Sequence, residues 1–126
     1  MTESCSTLSA ANIKYLIAMK RLEREGRGVR CIDLASSLKV SKPSVYSMVK
    51  SLMAMNLAEK VYYGAVNLTE EGRKLAEMYI GYYDILCPYF SKLMTHEDEA
   101  ESISCLVLAG VSESSLDNMC RNISAV

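Results

Sequence analysis

Val29 to Gly72 is the stretch that most restricts how this chain can fold, because two short helical segments, a two-residue turn and two short strand-like runs follow one another without slack. Cys31 to Leu38 reads as a short helix with Asp33 in its first turn, near the positive end of the helix dipole. Lys39-Val40 forms the tight turn. Ser41 then caps a second helix, and Pro43 sits in its first turn, where a missing N–H is harmless. Val45, Met48, Val49 and Leu52 fall at i, i+3, i+4 and i+7, which makes one buried stripe. Ala58 to Tyr62 and Ala65 to Leu68 are strand candidates around a Tyr63-Gly64 hairpin turn. Helix, turn, helix and hairpin in that order spell a winged helix-turn-helix, a device for laying its second helix in the major groove of DNA.

The buried stripe decides what the second helix shows to the outside. Lys42, Ser44, Tyr46, Ser47 and Lys50 are left away from the core. Short side chains permit close approach, while hydroxyls and ammonium groups meet base edges and phosphates. Tyr63, at the tip of the wing, joins them as a candidate DNA contact.

The flanks extend this picture. From Ser9, a plausible N-cap, Ile13, Leu16, Ile17 and Met19 recur with helical spacing, and the helix stops near the glycine-rich, basic REGRG. Thr69 with Glu70 and Glu71 opens a long helix carrying Leu75, Met78, Tyr79, Tyr82 and Leu86, which Pro88 should end or kink. Tyr89 to Met94 reads as one more helical stretch. Thr95 with Asp98 resembles a capping box for a helix running to about Ala109, and Ser112 starts another with Leu116, Met119, Cys120 and Ile123 inward. The expected fold class is mainly α, with a small two-stranded wing. Residues 1–74 should form the winged helix-turn-helix and residues 75–126 a helical dimerisation and regulatory region.

Charge divides the same way. Residues 1–74 hold twelve Lys/Arg against seven Asp/Glu, and residues 75–126 hold two against eight. A basic front and an acidic back suit a protein that meets phosphates with one half only. The tyrosine-rich stretch Tyr79 to Phe90 offers more apolar surface than a winged helix needs for itself, and two-fold operators make a homodimer the economical expectation. The uncharged apolar runs are far too short for a membrane span, and MTESCST lacks a basic-then-apolar leader, so a cytoplasmic location is expected. Five widely spaced cysteines with no C-x-x-C pair describe neither a zinc ribbon nor a disulfide framework; reduced, buried thiols fit better.

VR-x-x-DLA, KVSKPSV and LTEEGRKLAE, in this order, resemble the diphtheria-toxin-repressor family, and more narrowly its manganese-responsive branch, which lacks a third, SH3-like domain. The resemblance covers roughly Ser9 to Met119. It implies an N-terminal winged helix that binds operator DNA and later helices that dimerise and hold regulatory Mn²⁺ or Fe²⁺. It further implies that Ser41, Pro43 and Ser47 touch bases, and that Arg27, Arg30, Lys42 and Lys50 meet phosphates. The metal ligands do not carry over. The positions that hold them in the family are Lys14, Ile17, Tyr83, Cys105, Leu108 and Ala109 here, with only Cys105, and accessory Cys87 and Glu101, able to bind a cation. Mn²⁺ and Fe²⁺ want several oxygen and nitrogen donors, so no metal cofactor is expected. His96, the only histidine, reads as a solvated residue near a helix start.

These residues lead to a dimeric, sequence-specific transcriptional regulator, a repressor by resemblance, with its metal input lost or replaced. Lys14 and the apolar replacements could hold the arrangement a cation holds elsewhere, or the site has decayed. A small molecule in the Tyr-lined region, or thiol chemistry at Cys87 or Cys105, is an alternative effector. A reading from a different class is a winged-helix protein-interaction module that does not bind DNA. No paired carboxylates, phosphate loop or nucleophile-base set points to an enzyme.

Overall fold

The computed structural model describes residues 8–24, 27–60 and 64–125. In chain order its elements are α1 (Ala10–Leu22), β1 (Val29–Arg30), α2 (Cys31–Leu38), α3 (Lys42–Ala54), β2 (Ala58–Lys60), β3 (Ala65–Leu68), α4 (Glu70–Ser91), α5 (Glu97–Gly110) and α6 (Glu113–Ser124). The chain divides into two compact units: residues 15–77, and a second made of the chain up to Lys14 with Met78 onward.

In the first unit, Leu16, Met19, Leu34, Val45 and Leu52 are fully buried, so the stripe that shaped the sequence reading is the one that packs. Met48, expected in that stripe, is only half-buried at its edge. The sheet is antiparallel with strand order β1-β3-β2. The expected two-stranded wing thus gains a third strand: Val29 pairs with Val66, and the Cys31 N–H donates to the Gly64 carbonyl at 3.0 Å. A two-residue strand shows no alternation, so only its partner reveals it.

The LTEEG segment has a mechanical reason in this unit. Asn56 takes a left-handed backbone (φ 63°), which turns the chain from α3 toward β2. Thr69 returns to the same spot, its N–H donating to the Leu57 carbonyl at 3.1 Å and its hydroxyl to the Asn56 carbonyl at 2.8 Å. The same Oγ1 accepts from the Gly72 N–H at 3.0 Å, capping α4. Gly72 must lack a side chain, because a Cβ there would run into the Leu57 carbonyl oxygen. Arg73, one residue on, makes a two-pronged bond to Glu23, with both N···O distances 2.9 Å.

In the second unit, Ser9 and Asn12 exchange backbone-to-side-chain bonds, each 3.0 Å, which starts α1 where the sequence places its cap. Ile13, Tyr79, Leu86, Leu108 and Leu116 form the buried set. The Tyr82 hydroxyl donates to Asp117 Oδ1 at 2.6 Å and ties α4 to α6. Two expectations fail here. α4 runs through Pro88 to Ser91, so Tyr89 onward is its last turn rather than a separate helix. Pro88 forfeits one N–H bond but is exposed, and an exposed carbonyl one turn back can turn to water. The cap position of α5 is His96 rather than Thr95, with no side-chain cap bond, and Glu97, Asp98 and Glu99 supply dipole-favourable charge instead. No helix among the described residues is long and apolar enough to cross a membrane.

Candidate nucleic-acid interface

The turn between α2 and α3 is built by Lys39, which adopts a left-handed conformation (φ 58°) and donates its N–H to the Ala35 carbonyl. The Val40 N–H reaches the same carbonyl at 3.0 Å. That closes α2 and turns the chain within two residues, as the sequence demands. Ser41 then opens α3: its Oγ accepts from the Ser44 N–H at 3.3 Å and donates to Ser44 Oγ at 3.0 Å.

With Val45, Val49 and Leu52 buried, the opposite side of α3 is fixed by geometry. Pro43, Tyr46, Ser47 and Lys50, spaced i, i+3, i+4 and i+7, are all exposed, and so are Ser41, Lys42 and Ser44 around the helix N-terminus. Seven of the residues singled out from sequence therefore gather on one helix end. No carboxylate lies on α3, so the helix dipole and the lysines act in the same direction.

Two recesses in this unit gather basic side chains, and one of them borders α3. One, of about 740 Å³, lies between α3 and the sheet, with Tyr46, Lys50 and Met53 on the helix side and Lys60 and Ala65 on the strand side. The other, of about 480 Å³, gathers Arg24, Arg27 and Arg30 with Asp33, Ser36 and Ser37. Arg24 and Arg27 form an isolated antiparallel bridge, the Arg27 N–H donating to the Arg24 carbonyl at 2.9 Å. Arg27 and Arg30 are exposed beside this recess. Lys60 and Arg24 were not singled out from sequence. Lys60 was hidden in a strand whose neighbours give no register, whereas Arg24 lies in the basic REGRG run and could have been included. Tyr63 lies outside the described residues.

The positions that the family resemblance assigns to metal ligands carry other chemistry. Ile17 is buried in the first unit. In the second unit Cys105 and Leu108 are buried, Ala109 is half-buried and Lys14 is exposed. Burial pushes the Cys105 thiol up to about 11, with Lys14 pulling the other way and Cys87 and Glu101 adding to the rise. Tyr83 is hydrogen-bonded to Cys87, and burial first, then that bond, raises its hydroxyl above the usual range. Among the described residues no group of three or more His, Cys, Asp and Glu side chains could hold a metal ion. A protonated thiol, a phenol, an ammonium group and aliphatic side chains do not match the donors that Mn²⁺ or Fe²⁺ require.

No protein-family model matches the chain. The transcriptional regulator MntR of Escherichia coli is 41% identical over 63 residues, which are 50% of this chain and 41% of that one. The match thus spans about two-fifths of that regulator's length. Among solved structures, the manganese regulator SloR superposes with a TM-score of 0.72 at 22% identity, covering 90% of this chain and 53% of that one. The hypothetical protein SSo2273 from Sulfolobus solfataricus gives 0.63 at 21%, covering 94% of this chain and 92% of its own. At such identities the structures speak for the fold, which is the winged helix expected from sequence. In sequence over half its length and in fold over most of it, this chain resembles the diphtheria-toxin-repressor and manganese-regulator family.

Proposed function

We propose that this chain is a dimeric, non-catalytic transcriptional regulator that reads operator DNA through α3 and does not depend on a metal at the family's positions. The observation that carries the reading is the exposed stripe Pro43, Tyr46, Ser47 and Lys50, set opposite the buried Val45, Val49 and Leu52 and facing Lys60 across a cleft, with Arg27 and Arg30 also exposed in the same unit. Such a surface suits groove entry by the helix N-terminus, and the exposed arginines and lysines supply charge for phosphates. The relationship to MntR supports the same reading. Exposed Leu93, Leu106, Tyr89 and Val111 leave apolar surface on the helical unit for a second copy to cover. Lys14, Leu108 and Ala109 support the loss of metal control, since one repels a cation and two carry no donor atom.

The test is operator selection with the purified full chain, followed by titrations at two salt concentrations, with chelator and with added Mn²⁺. Affinity should fall steeply with salt, the logarithmic slope being about −0.9 for each phosphate neutralised. Added metal should change it less than threefold, an order-of-magnitude allowance for ionic effects of a divalent salt. A tenfold gain with Mn²⁺ would restore the metal-dependent reading. Indifference to DNA at low salt would leave the winged helix as an interaction module.

A further inference from the structure

Among the described residues of the 15–77 unit, Tyr46 is the most exposed large apolar-bodied side chain, at 54%, and it is the only aromatic residue of α3. It lies one turn inside the helix, between Pro43 and Lys50 on the outward stripe, and forms part of the wall facing the wing strands. A polar reader at this position needs only a short hydroxyl or an ammonium group, and Ser44, Ser47, Lys42 and Lys50 already supply those on neighbouring positions. The phenol ring adds something these lack, a broad apolar face at the end of a stiff stem with two rotatable bonds. The major groove offers one apolar feature to such a face, the C5-methyl group of thymine.

Resting on the DNA-binding reading above, we propose that Tyr46 is a specificity-determining residue that packs its ring on a thymine C5-methyl group in each operator half-site. The hydroxyl at the ring's far end remains available for a phosphate, yet the discrimination between bases comes from the ring. Base pairs beneath Tyr46 should therefore be selected as those with a thymine, and 5-methylcytosine should partly substitute for it where the pair is otherwise tolerated.

The experiment uses the full chain and its selected operator, with deoxyuridine replacing thymine one position at a time, since that exchange deletes only the methyl group. One replacement beneath Tyr46 should weaken wild-type binding about fourfold per half-site, the equivalent of one buried methyl. Tyr46→Phe should keep that sensitivity; Tyr46→Ala should bind more weakly and become indifferent to the same replacement. Thermal melts that leave both variants within a few degrees of wild type confirm that an exposed position was altered without unfolding. The proposal is overturned if wild type ignores every deoxyuridine, or if Tyr46→Ala keeps the discrimination. It is equally overturned if Tyr46→Phe loses the sensitivity, which would make the hydroxyl and a phosphate the contact. A wild-type chain that binds no DNA overturns both this inference and the reading beneath it, whereas methyl-insensitive binding overturns this one alone.

Discussion

α3 and α6 start with the same device and end with opposite surfaces. Ser41 accepts from the Ser44 N–H at 3.3 Å, and Ser112 accepts from the Ser115 N–H at 3.2 Å, each with a hydroxyl pair alongside. After the cap, α3 continues with Lys42 and Pro43 and shows Tyr46, Ser47 and Lys50, whereas α6 continues with Glu113 and shows Asp117. The cap specifies a helix and nothing else. What the helix is for depends on the residues spaced outward from it, where phosphates are either attracted or repelled.

The contrast between the units can be broken hardest in α4, where LTEEG makes its return to Leu57. Gly72→Ala forces a methyl group against the Leu57 backbone carbonyl, which accepts from the Thr69 N–H while the Thr69 hydroxyl ties down the neighbouring Asn56 carbonyl. Overpacking against backbone should cost about 3 kcal/mol, read as a lower urea midpoint with an unchanged slope. A loss below about 1 kcal/mol would mean the joint yields, and that L-T-x-x-G is less tightly constrained than the geometry implies.

The next effect separates the units by pH. Hydrogen bonds from Arg73, and then the charges of Arg73 and Lys20, hold the Glu23 carboxyl below its ordinary value near 4.5 against an opposing burial effect. That stabilisation is present above about pH 4.5 and disappears as pH falls through the lower folded value. Glu23→Gln should cost about 1–2 kcal/mol at neutral pH and flatten the acid side of the stability profile. Cys105 in the helical unit works at the other end. Its thiol is raised from 9.0 to about 11 chiefly by burial, so its contribution holds below pH 9 and is lost as pH climbs toward 11. Cys105→Ala should flatten the alkaline side and leave the acid side alone. Chemical denaturation across pH would show an unchanged acid side in Glu23→Gln if the Arg73 bonds did not hold the carboxylate, and an unchanged alkaline side in Cys105→Ala if the thiol were not buried.

These two regions also differ in how far their sequences reveal them. The elements around α3 lie close together in the chain, and the stripe from Val45 to Leu52, the cap at Ser41 and the tight turn at Lys39 are all local patterns, so the helix-turn-helix is legible residue by residue. What escaped was non-local: β1 exists only because Val66 lies opposite Val29, and Lys60 reaches the α3 cleft only through the register of β2 with β3. Pro88 misled for the reverse reason. A proline's local cost was visible, while the packing of Leu86 that carries the helix past it was not. In the helical unit, Tyr83, Cys87, Glu101 and Cys105 meet across two helices, and no spacing rule brings them together.

The matched caps allow a sharper test of form against function. Ser41→Ala and Ser112→Ala should each lower stability by about 1 kcal/mol, because each leaves one helix N–H without its acceptor. The two losses should agree within about 0.5 kcal/mol in urea melts, given near-equal geometry and exposure. Operator affinity should respond only to Ser41→Ala, through lost contact and a frayed first turn of α3. Equal losses of affinity would mean the helical unit also meets DNA, against its carboxylates.

The smallest effect returns to α4 and has the opposite sign. Gly81 lies inside the helix in the second unit, is exposed, and a Cβ built on it meets nothing within 4 Å. Gly81→Ala should therefore stabilise the chain by about 0.5–1 kcal/mol, since alanine loses less backbone freedom in a helix than glycine. The same substitution that clashes at Gly72 is thus expected to help a few turns later, and the difference isolates the Leu57 carbonyl as the cause. Sedimentation of the variant carries the comparison beyond the single chain. If Gly81→Ala raises the melting temperature but weakens self-association, the missing side chain is a close approach to a second copy, and the dimer face runs over this part of α4. If self-association is unchanged, the apolar surface at Leu93 and Leu106 is the better place to look for it.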